Sequence, residues 1–289
     1  MKRLSILIII IILLSGISYG DSFDNSVISL GEDLTIKEEK EILNFFNAKD
    51  HIRIVRVSND EEKKYLGKYI DNSLIGTKSI SCAYVKVLRA GEGMNIETYN
   101  ISWITEGMYR NALITAGVKN AKVKIAAPVS VSGTAALTGI IKGFENITNK
   151  NISEERKEIA NEEIAKTGTL AKDIGKEKSM KLIREVKEEV IENRVKEEKD
   201  IKEIIIKISG NLNIKLADEQ IDEIAELMKG ISKLNLDLNN IKKQINEISD
   251  GIDNISENKK DEESFFTKII NFIKSIFEGI LTWIGNILG

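Results

Sequence analysis

The chain has 289 residues, with 42 Lys and Arg against 45 Asp and Glu, and a formal net charge of −3. Its single Cys and single His exclude an intramolecular disulfide and the metal sites that need several Cys or His ligands. The near balance of charge gives no reason to expect a nucleic-acid partner, and an apolar fraction of 42% excludes a wholly disordered chain.

Residues 1–20 have the pattern of a secretory signal peptide. Two basic residues precede an apolar run from Leu4 to Leu14, and Ser18 and Gly20 are the small residues that a cleavage site after Gly20 requires. The apolar run is shorter than the ~20 residues that span a bilayer, so an uncleaved anchor is the less favoured alternative. We therefore expect a secreted, cell-envelope-associated protein.

Residues 21–150 alternate the signals of strands and helices, which indicates an α+β domain with a small mixed β-sheet covered by helices. We predict helices over 35–47, 58–67, 105–116 and 133–145, and strands over 51–57, 79–88, 94–102 and 121–127. Gly91 and Gly93 are expected to join the second and third strands as a hairpin. Pro128 is expected to end the fourth strand, because it cannot donate to a strand ladder.

Residues 151–250 are highly charged and helical in pattern. Apolar residues recur three and four positions apart, with strict alternation from Leu234 to Ile255. Such a stripe needs a helical partner, and residues 153–208 supply candidates. We expect a helical bundle or hairpin, with a self-associating coiled coil, and hence a homo-oligomer, as the alternative.

The C-terminal part of the chain combines a polar stretch with a strongly apolar one. Residues 251–263 are predicted to be a flexible linker, and residues 264–289 an amphipathic helix with an apolar sector about 180° wide. This helix is expected to bind a membrane surface or an envelope protein, with packing onto its own domain as the alternative. Its candidate binding face consists of Phe265, Phe266, Ile269, Phe272, Ile273, Ile276, Phe277, Ile280, Trp283 and Ile284.

The densest run of hydroxyl-bearing and small residues, Pro128–Gly139, follows a predicted strand and opens a predicted helix. Free backbone N–H groups at such a helix start can hold an anion or a carboxylate, although the small residues also suit ordinary close packing of a helix on a sheet, which is the favoured interpretation. The run lacks the Lys of a P-loop, the spacing of a dinucleotide fingerprint and a nucleophile elbow, so no cofactor is expected. The candidate ligand-binding residues are Thr105, Tyr109, Asn111, Ser130, Ser132, Gly133 and Thr134.

Several of these segments together resemble the YpuA-like family of secreted bacterial proteins, a domain of unknown function. The matching stretches are Leu30–Thr35, Val57–Glu62, Tyr65–Gly67, Asn100–Thr105, Tyr109–Gly117, Ala126–Pro128, Ser132–Gly139 and Lys166–Gly168. The resemblance covers roughly residues 28–250. It implies an exported protein of similar architecture, and it supplies no reaction and no catalytic residue.

These observations favour an exported, non-catalytic cell-envelope protein that binds a membrane or a partner through its C-terminal helix. One alternative is an extracellular hydrolase that acts on cell-wall material through the Ser/Thr-rich strand–turn–helix segment. Another is a self-assembling coiled-coil surface protein.

Overall fold

The computed structural model describes residues 25–234 together with Leu236. The predicted signal peptide, most of the heptad stripe, the linker and the C-terminal helix with its apolar face lie outside the described residues. Within the described residues, none of the helices combines the length and the apolar character needed to cross a membrane.

Five strands in the described part of the chain form one mixed sheet, which confirms the predicted α+β class. The strands are β1 (Ser26–Gly31), β2 (Arg53–Val57), β3 (Cys82–Val87), β4 (Met94–Ile101) and β5 (Ala121–Val131). Their order across the sheet is β2-β1-β3-β5-β4. β1 runs parallel to β2 and β4 parallel to β5, whereas β3 is antiparallel to both of its neighbours.

The helices of the described residues are α1 (Ile36–Phe45), α2 (Asn59–Leu66), α3 (Asn72–Ile75), α4 (Glu106–Ala116), α5 (Thr134–Thr148), α6 (Glu154–Ile174), α7 (Lys176–Glu192), α8 (Glu198–Asn211) and α9 (Asp218–Lys233). The four helices predicted before residue 150 begin within one residue of their predicted starts, whereas the short helix α3 is not among those predicted. Thr35 and Ser58 each form a complete capping box with the Glu three residues later. Each box satisfies two backbone donors at its helix start, so these two boundaries are set by local chemistry.

The predicted hairpin between β3 and β4 is wrong, because β5 lies between these two strands. The loop that holds Gly91 and Gly93 instead crosses the start of β5, at Asn120 and Ala121. Both glycine N–H groups donate to Asn120 Oδ1, at 2.9 and 3.1 Å. A glycine-rich connection of this length suits a hairpin and a short crossover equally well, and only long-range pairing with β5 decides between them.

The predicted end of the fourth strand at Pro128 is also wrong, since β5 continues to Val131. Ala126 is the last residue of β5 that pairs with β3, so Pro128 lies beyond the β3–β5 ladder. On the other side the register jumps from Tyr99–Ala126 to Ile101–Val131, which places Pro128 in an irregular, bulged stretch. The missing N–H of Pro128 therefore removes no regular ladder hydrogen bond.

Helices cover both faces of the sheet. On one face Val27 of β1 belongs to the core formed with α4 and α5, and on the other Ile28 belongs to a smaller core closed by α1. Every residue of β1 is buried as a result. The chain beyond α5 forms the predicted helical bundle, because α6, α7, α8 and α9 share a third apolar core. α6 also contributes Ile164 to the core of the sheet, so it contacts both parts; the division at residue 150 stays a prediction.

A pair of helical glycines provides a test of how closely α5 lies on the sheet. A Cβ added at Gly139 would lie 2.0 Å from Ser29 Oγ and 2.9 Å from Ser29 Cβ, whereas one added at Gly210 in α8 would meet nothing within 4 Å. We expect Gly139→Ala to destabilise the protein by about 1–3 kcal/mol through overpacking. Gly210→Ala should stabilise it by roughly 0.5–1 kcal/mol, since alanine favours the helix. Urea unfolding of both variants checks the contrast, and equal midpoints would contradict the packing described.

Candidate functional site

An open cleft of about 470 Å³ lies where β5 ends and α5 begins. Its walls come from α2, from the segment around α3, from the end of β4 and from the β5–α5 turn. The side chains and turn residues that give it a polar lining are Glu62, Ser73, Thr77, Lys78, Ser81, Ser102, Ser130, Ser132, Gly133 and Thr134, and Trp103 adds an aromatic ring. We refer to it as the Glu62 cleft.

Glu62 is the buried acid of this cleft. It lies on α2, one turn before the buried Leu66, and only 1% of it is exposed. Burial raises the pKa of the Glu62 carboxyl to about 7, against the opposing effect of hydrogen bonds from Thr134 and Asn59. The carboxyl therefore passes between its neutral and ionised forms near neutral pH, so it can donate a hydrogen bond in one form and only accept in the other.

The β5–α5 turn brings two hydroxyls to this carboxyl. Ser132 Oγ and Thr134 Oγ1 are 2.9 Å apart, and the Thr134 side chain in turn hydrogen-bonds to Glu62. Thr134 is buried and Ser132 is half-buried. Glu62, Thr134 and Ser132 thus form a continuous chain of polar groups that leads from a buried carboxyl into the cleft.

Gly133 allows the turn that positions these hydroxyls. Its φ of +94° lies in the left-handed region, and a Cβ there would lie 2.4 Å from the Tyr109 hydroxyl and 2.5 Å from Ile101 Cγ2. The Tyr109 hydroxyl donates a 2.5 Å hydrogen bond to the Gly133 carbonyl. Only glycine fits this position, and the buried Tyr109 fixes the turn from below.

The structure brings four of the seven candidate ligand-binding residues together in the Glu62 cleft: Ser130, Ser132, Gly133 and Thr134. The other three do not line it. Thr105 caps α4, where its hydroxyl accepts from the Met108 N–H, and it borders a separate cavity beside Glu106. Tyr109 is fully buried beneath the turn. Asn111 is buried at the contact of α4 with α7, where its side-chain amide donates to the Met180 carbonyl.

Glu62, one of 45 acidic residues, is not among the candidate residues predicted from the sequence. A usable signal was present, because Glu62 lies four residues before Leu66 on the helix face that faces the core. An acidic residue at an otherwise apolar helical position is unusual, since burial of a carboxylate is costly.

A second polar cluster lies in the interior, where α4, α6 and α7 meet. Lys187 Nζ is 2.6 Å from Glu163 Oε1, and it also donates to Thr115 Oγ1 at 3.1 Å and to the Asn111 carbonyl at 2.9 Å. Thr115 in turn donates to Glu163 Oε2 at 2.5 Å, and Thr167 donates to the Glu163 carbonyl. Lys187 and Glu163 are completely buried. The cluster is closed to solvent, and its chemistry is that of a structural link between three helices.

Metal binding finds no support in the described residues. Between residue 25 and residue 236, as far as the structure describes them, no three His, Cys, Asp or Glu side chains gather into a possible metal site. Cys82 is buried in the centre of the sheet, and burial raises the pKa of its thiol to about 12. The thiol therefore remains protonated and has the character of a small apolar side chain.

Comparison with known proteins places the chain in a family. Residues 30–248 match the family described as "Protein of unknown function (DUF1002)". The chain is similar to the "Uncharacterized protein YpuA" of Bacillus subtilis (strain 168), with 38% identity over 276 residues that cover 95% of each chain. No solved structure matches. The resemblance expected from the sequence motifs is confirmed, and the chain belongs to the DUF1002 family of proteins of unknown function.

Proposed function

We propose that this protein is an exported cell-envelope protein that binds a polar ligand in the Glu62 cleft without chemical change. The observation that carries the proposal is the buried Glu62 carboxyl at the wall of a hydroxyl-lined cleft. A buried acid lowers the stability of a protein unless it is paired with a cation. Among the described residues, the partners of Glu62 are the hydrogen-bond donors Thr134 and Asn59, and not a cation. A titratable group with a strongly perturbed pKa in a cleft is typical of a binding or catalytic site.

The lining of the cleft indicates the class of ligand. Several Ser and Thr hydroxyls, which both donate and accept, surround the carboxyl, and the exposed Lys78 adds one cation. Trp103 is half-buried, and its indole N–H is already bonded to the Gly168 carbonyl, so what it adds to the cleft is ring surface. This combination suits an uncharged or zwitterionic ligand rich in hydroxyl and amide groups. Fragments of cell-wall glycan and peptide have that chemistry, and an exported protein would meet them.

The proposed attachment to the envelope rests on the sequence of residues 264–289. Their apolar sector predicts a helix that lies in a membrane interface or docks onto an envelope partner. Attachment through the C-terminal segment would keep the Glu62 cleft close to the wall material that we propose as its ligand.

Binding of a disaccharide-peptide fragment of bacterial cell wall, measured by calorimetry, tests the proposal. We expect Glu62→Gln to weaken binding by about 10- to 100-fold, the effect of losing one hydrogen bond to a charged group. The matched control is Glu41→Gln, an exposed acid on α1 outside the cleft, which should leave binding unchanged. Equal affinities of the two variants would contradict a role for Glu62 in the site.

A hydrolase that acts on cell-wall material is the second candidate, and the Ser132–Thr134 hydroxyl contact favours it. In this mechanism the ionised Glu62 takes the Thr134 proton while Thr134 takes that of Ser132, and Ser132 Oγ bonds to an acyl carbon of the substrate. The leaving group departs with the proton from Glu62, and water then releases the acyl group from Ser132. Soluble fragments released from purified wall would support this candidate if Ser132→Ala abolished the release. Binding without release supports the first proposal.

A further inference from the structure

A second cavity, of about 700 Å³, opens at the end of the helical bundle where α7 and α9 finish. Its apolar floor and its rim differ sharply in chemistry. The floor consists of Val190, Ile191, Leu234 and Leu236, and the rim of Arg194, Lys196, Lys229, Lys233 and Ser232. We refer to this cavity as the basic groove. Its lining contains four cationic side chains and no Asp or Glu among the described residues.

Most of this positive charge is not neutralised by described neighbours. Lys229 forms an ion pair with Glu198 at 3.1 Å. Arg194, Lys196 and Lys233 have no ion-pair partner in the part of the chain that the structure describes, and all three are exposed. The groove therefore offers an anion three unpaired cations above an apolar surface.

The backbone at Arg194 is unusual for its residue type. Arg194 has a φ of +52°, and every other non-glycine residue with positive φ in the described chain is an Asn. The turn closes α7 with a hydrogen bond from the Val195 N–H to the Val190 carbonyl. Gly or Asn is the usual residue at such a helix end, and either would form the turn at a lower conformational cost than arginine does. The turn by itself therefore does not require an arginine.

We propose that the basic groove binds the phosphate headgroup of an anionic membrane phospholipid. Cations beside an apolar floor complement a lipid, which joins a phosphate to hydrocarbon. Leu236, in the floor, is the last described residue. The apolar segment 264–289, whose charges are Lys268, Lys274 and Glu278 alone, follows it in the sequence. That segment has too little positive charge to favour an anionic surface by itself, and the basic groove supplies the missing positive charge. This inference rests on the proposed membrane attachment.

Co-sedimentation of the mature full-length chain with two kinds of vesicle tests the inference. One kind is phosphatidylcholine alone, and the other is an equal mixture of phosphatidylcholine and phosphatidylglycerol. The groove variant combines Arg194→Asn, which suits the left-handed backbone, with Lys196→Gln and Lys233→Gln. The control variant removes the same charge from distant exposed positions through Lys37→Gln, Lys40→Gln and Lys178→Gln.

We expect the unmodified chain and the control variant to prefer the anionic vesicles, and the groove variant to lose about tenfold or more of its binding to them. Its binding to neutral vesicles should not change. Equal binding of both variants to anionic vesicles would overturn the inference and leave membrane attachment intact. Failure of the unmodified chain to bind either vesicle would overturn attachment and the inference together.

Two further readouts separate other occupants of the groove. Glycerol 3-phosphate that binds the unmodified chain as tightly as vesicles do would identify a soluble phosphate as the ligand and overturn the lipid assignment. A groove variant that loses thermal stability but keeps its vesicle binding would assign the groove to packing within the chain, which also overturns it.

Discussion

Replacing Lys187 with Met is expected to destabilise the protein by about 3–5 kcal/mol. The substitution leaves the Glu163 carboxylate buried without its 2.6 Å partner, and it removes donors from Thr115 and the Asn111 carbonyl at the same time. A carboxylate cut off from both water and a cation carries a large desolvation penalty. Lys187 on α7 joins Glu163 on α6 to Thr115 and Asn111 on α4. We therefore expect the packing of α4, which lies on the sheet, against α6 and α7 to weaken at all three helices together.

Urea unfolding of the Lys187→Met variant measures this effect. The matched control is Lys181→Met, on the same helix, whose ammonium is exposed and 3.9 Å from Glu185. Surface pairs of this kind contribute little, so the control should lie within about 0.5 kcal/mol of the unmodified protein. The double variant Lys187→Met with Glu163→Gln should recover part of the loss, since it removes the unpaired charge. An unfolding midpoint unchanged in Lys187→Met would contradict the buried pair.

Replacing Glu62 with Gln is expected to make the protein more stable at about pH 8 by about 3 kcal/mol. The folded-state pKa of Glu62, about 7, is higher than the ordinary value of 4.5, so the folded protein holds this proton more tightly than the unfolded chain does. The contribution of the protonated carboxyl to the free energy of unfolding is fully present below pH 4.5 and is lost as the pH rises toward 7. Glutamine keeps the shape but does not titrate, so the variant escapes this loss.

Unfolding free energies measured across that pH range test the expectation. The unmodified protein should lose stability between about pH 5 and pH 7 relative to Glu62→Gln, and the two should approach each other in acid. Glu41→Gln, whose carboxylate is exposed, should follow the unmodified protein throughout. Parallel curves for the unmodified protein and Glu62→Gln would show that this carboxyl has an ordinary pKa. They would contradict the perturbed acid on which the proposal of a ligand site in the Glu62 cleft depends.

Local chemistry made several elements predictable from the sequence. The capping residues Thr35, Ser58 and Thr105 each satisfy donors within three residues, and Gly117 ends α4 in the left-handed conformation. The Ser/Thr-rich turn was likewise visible as a change from strand to helix pattern. In all these cases the deciding interactions lie within a few residues in the chain, so the residue types themselves carry the information.

Long-range contacts decided what the sequence could not predict. No strand is predicted at β1, because its residues face apolar cores on both sides of the sheet and show no alternation with polar positions. The place of β5 between β3 and β4 depends on pairing across the sheet. In the site, Glu62 meets Thr134 only because α2 and the start of α5 lie together, 72 positions apart in the chain. In the sequence, Lys187 and Glu163 do not differ from the other charged residues of their helices. They form a buried pair only through the packing of α6 against α7.

The claim that the Glu62 cleft is the ligand site is tested most directly by an NMR titration of the isotope-labelled mature chain with the disaccharide-peptide fragment. We expect the backbone signals of Ser132, Gly133 and Thr134 to shift together with the Glu62 carboxyl signal, and those of Asn111 and Lys187 to stay unchanged. Shifts confined to residues away from the cleft, or no shifts at fragment concentrations in the millimolar range where weak binding is seen, would contradict it.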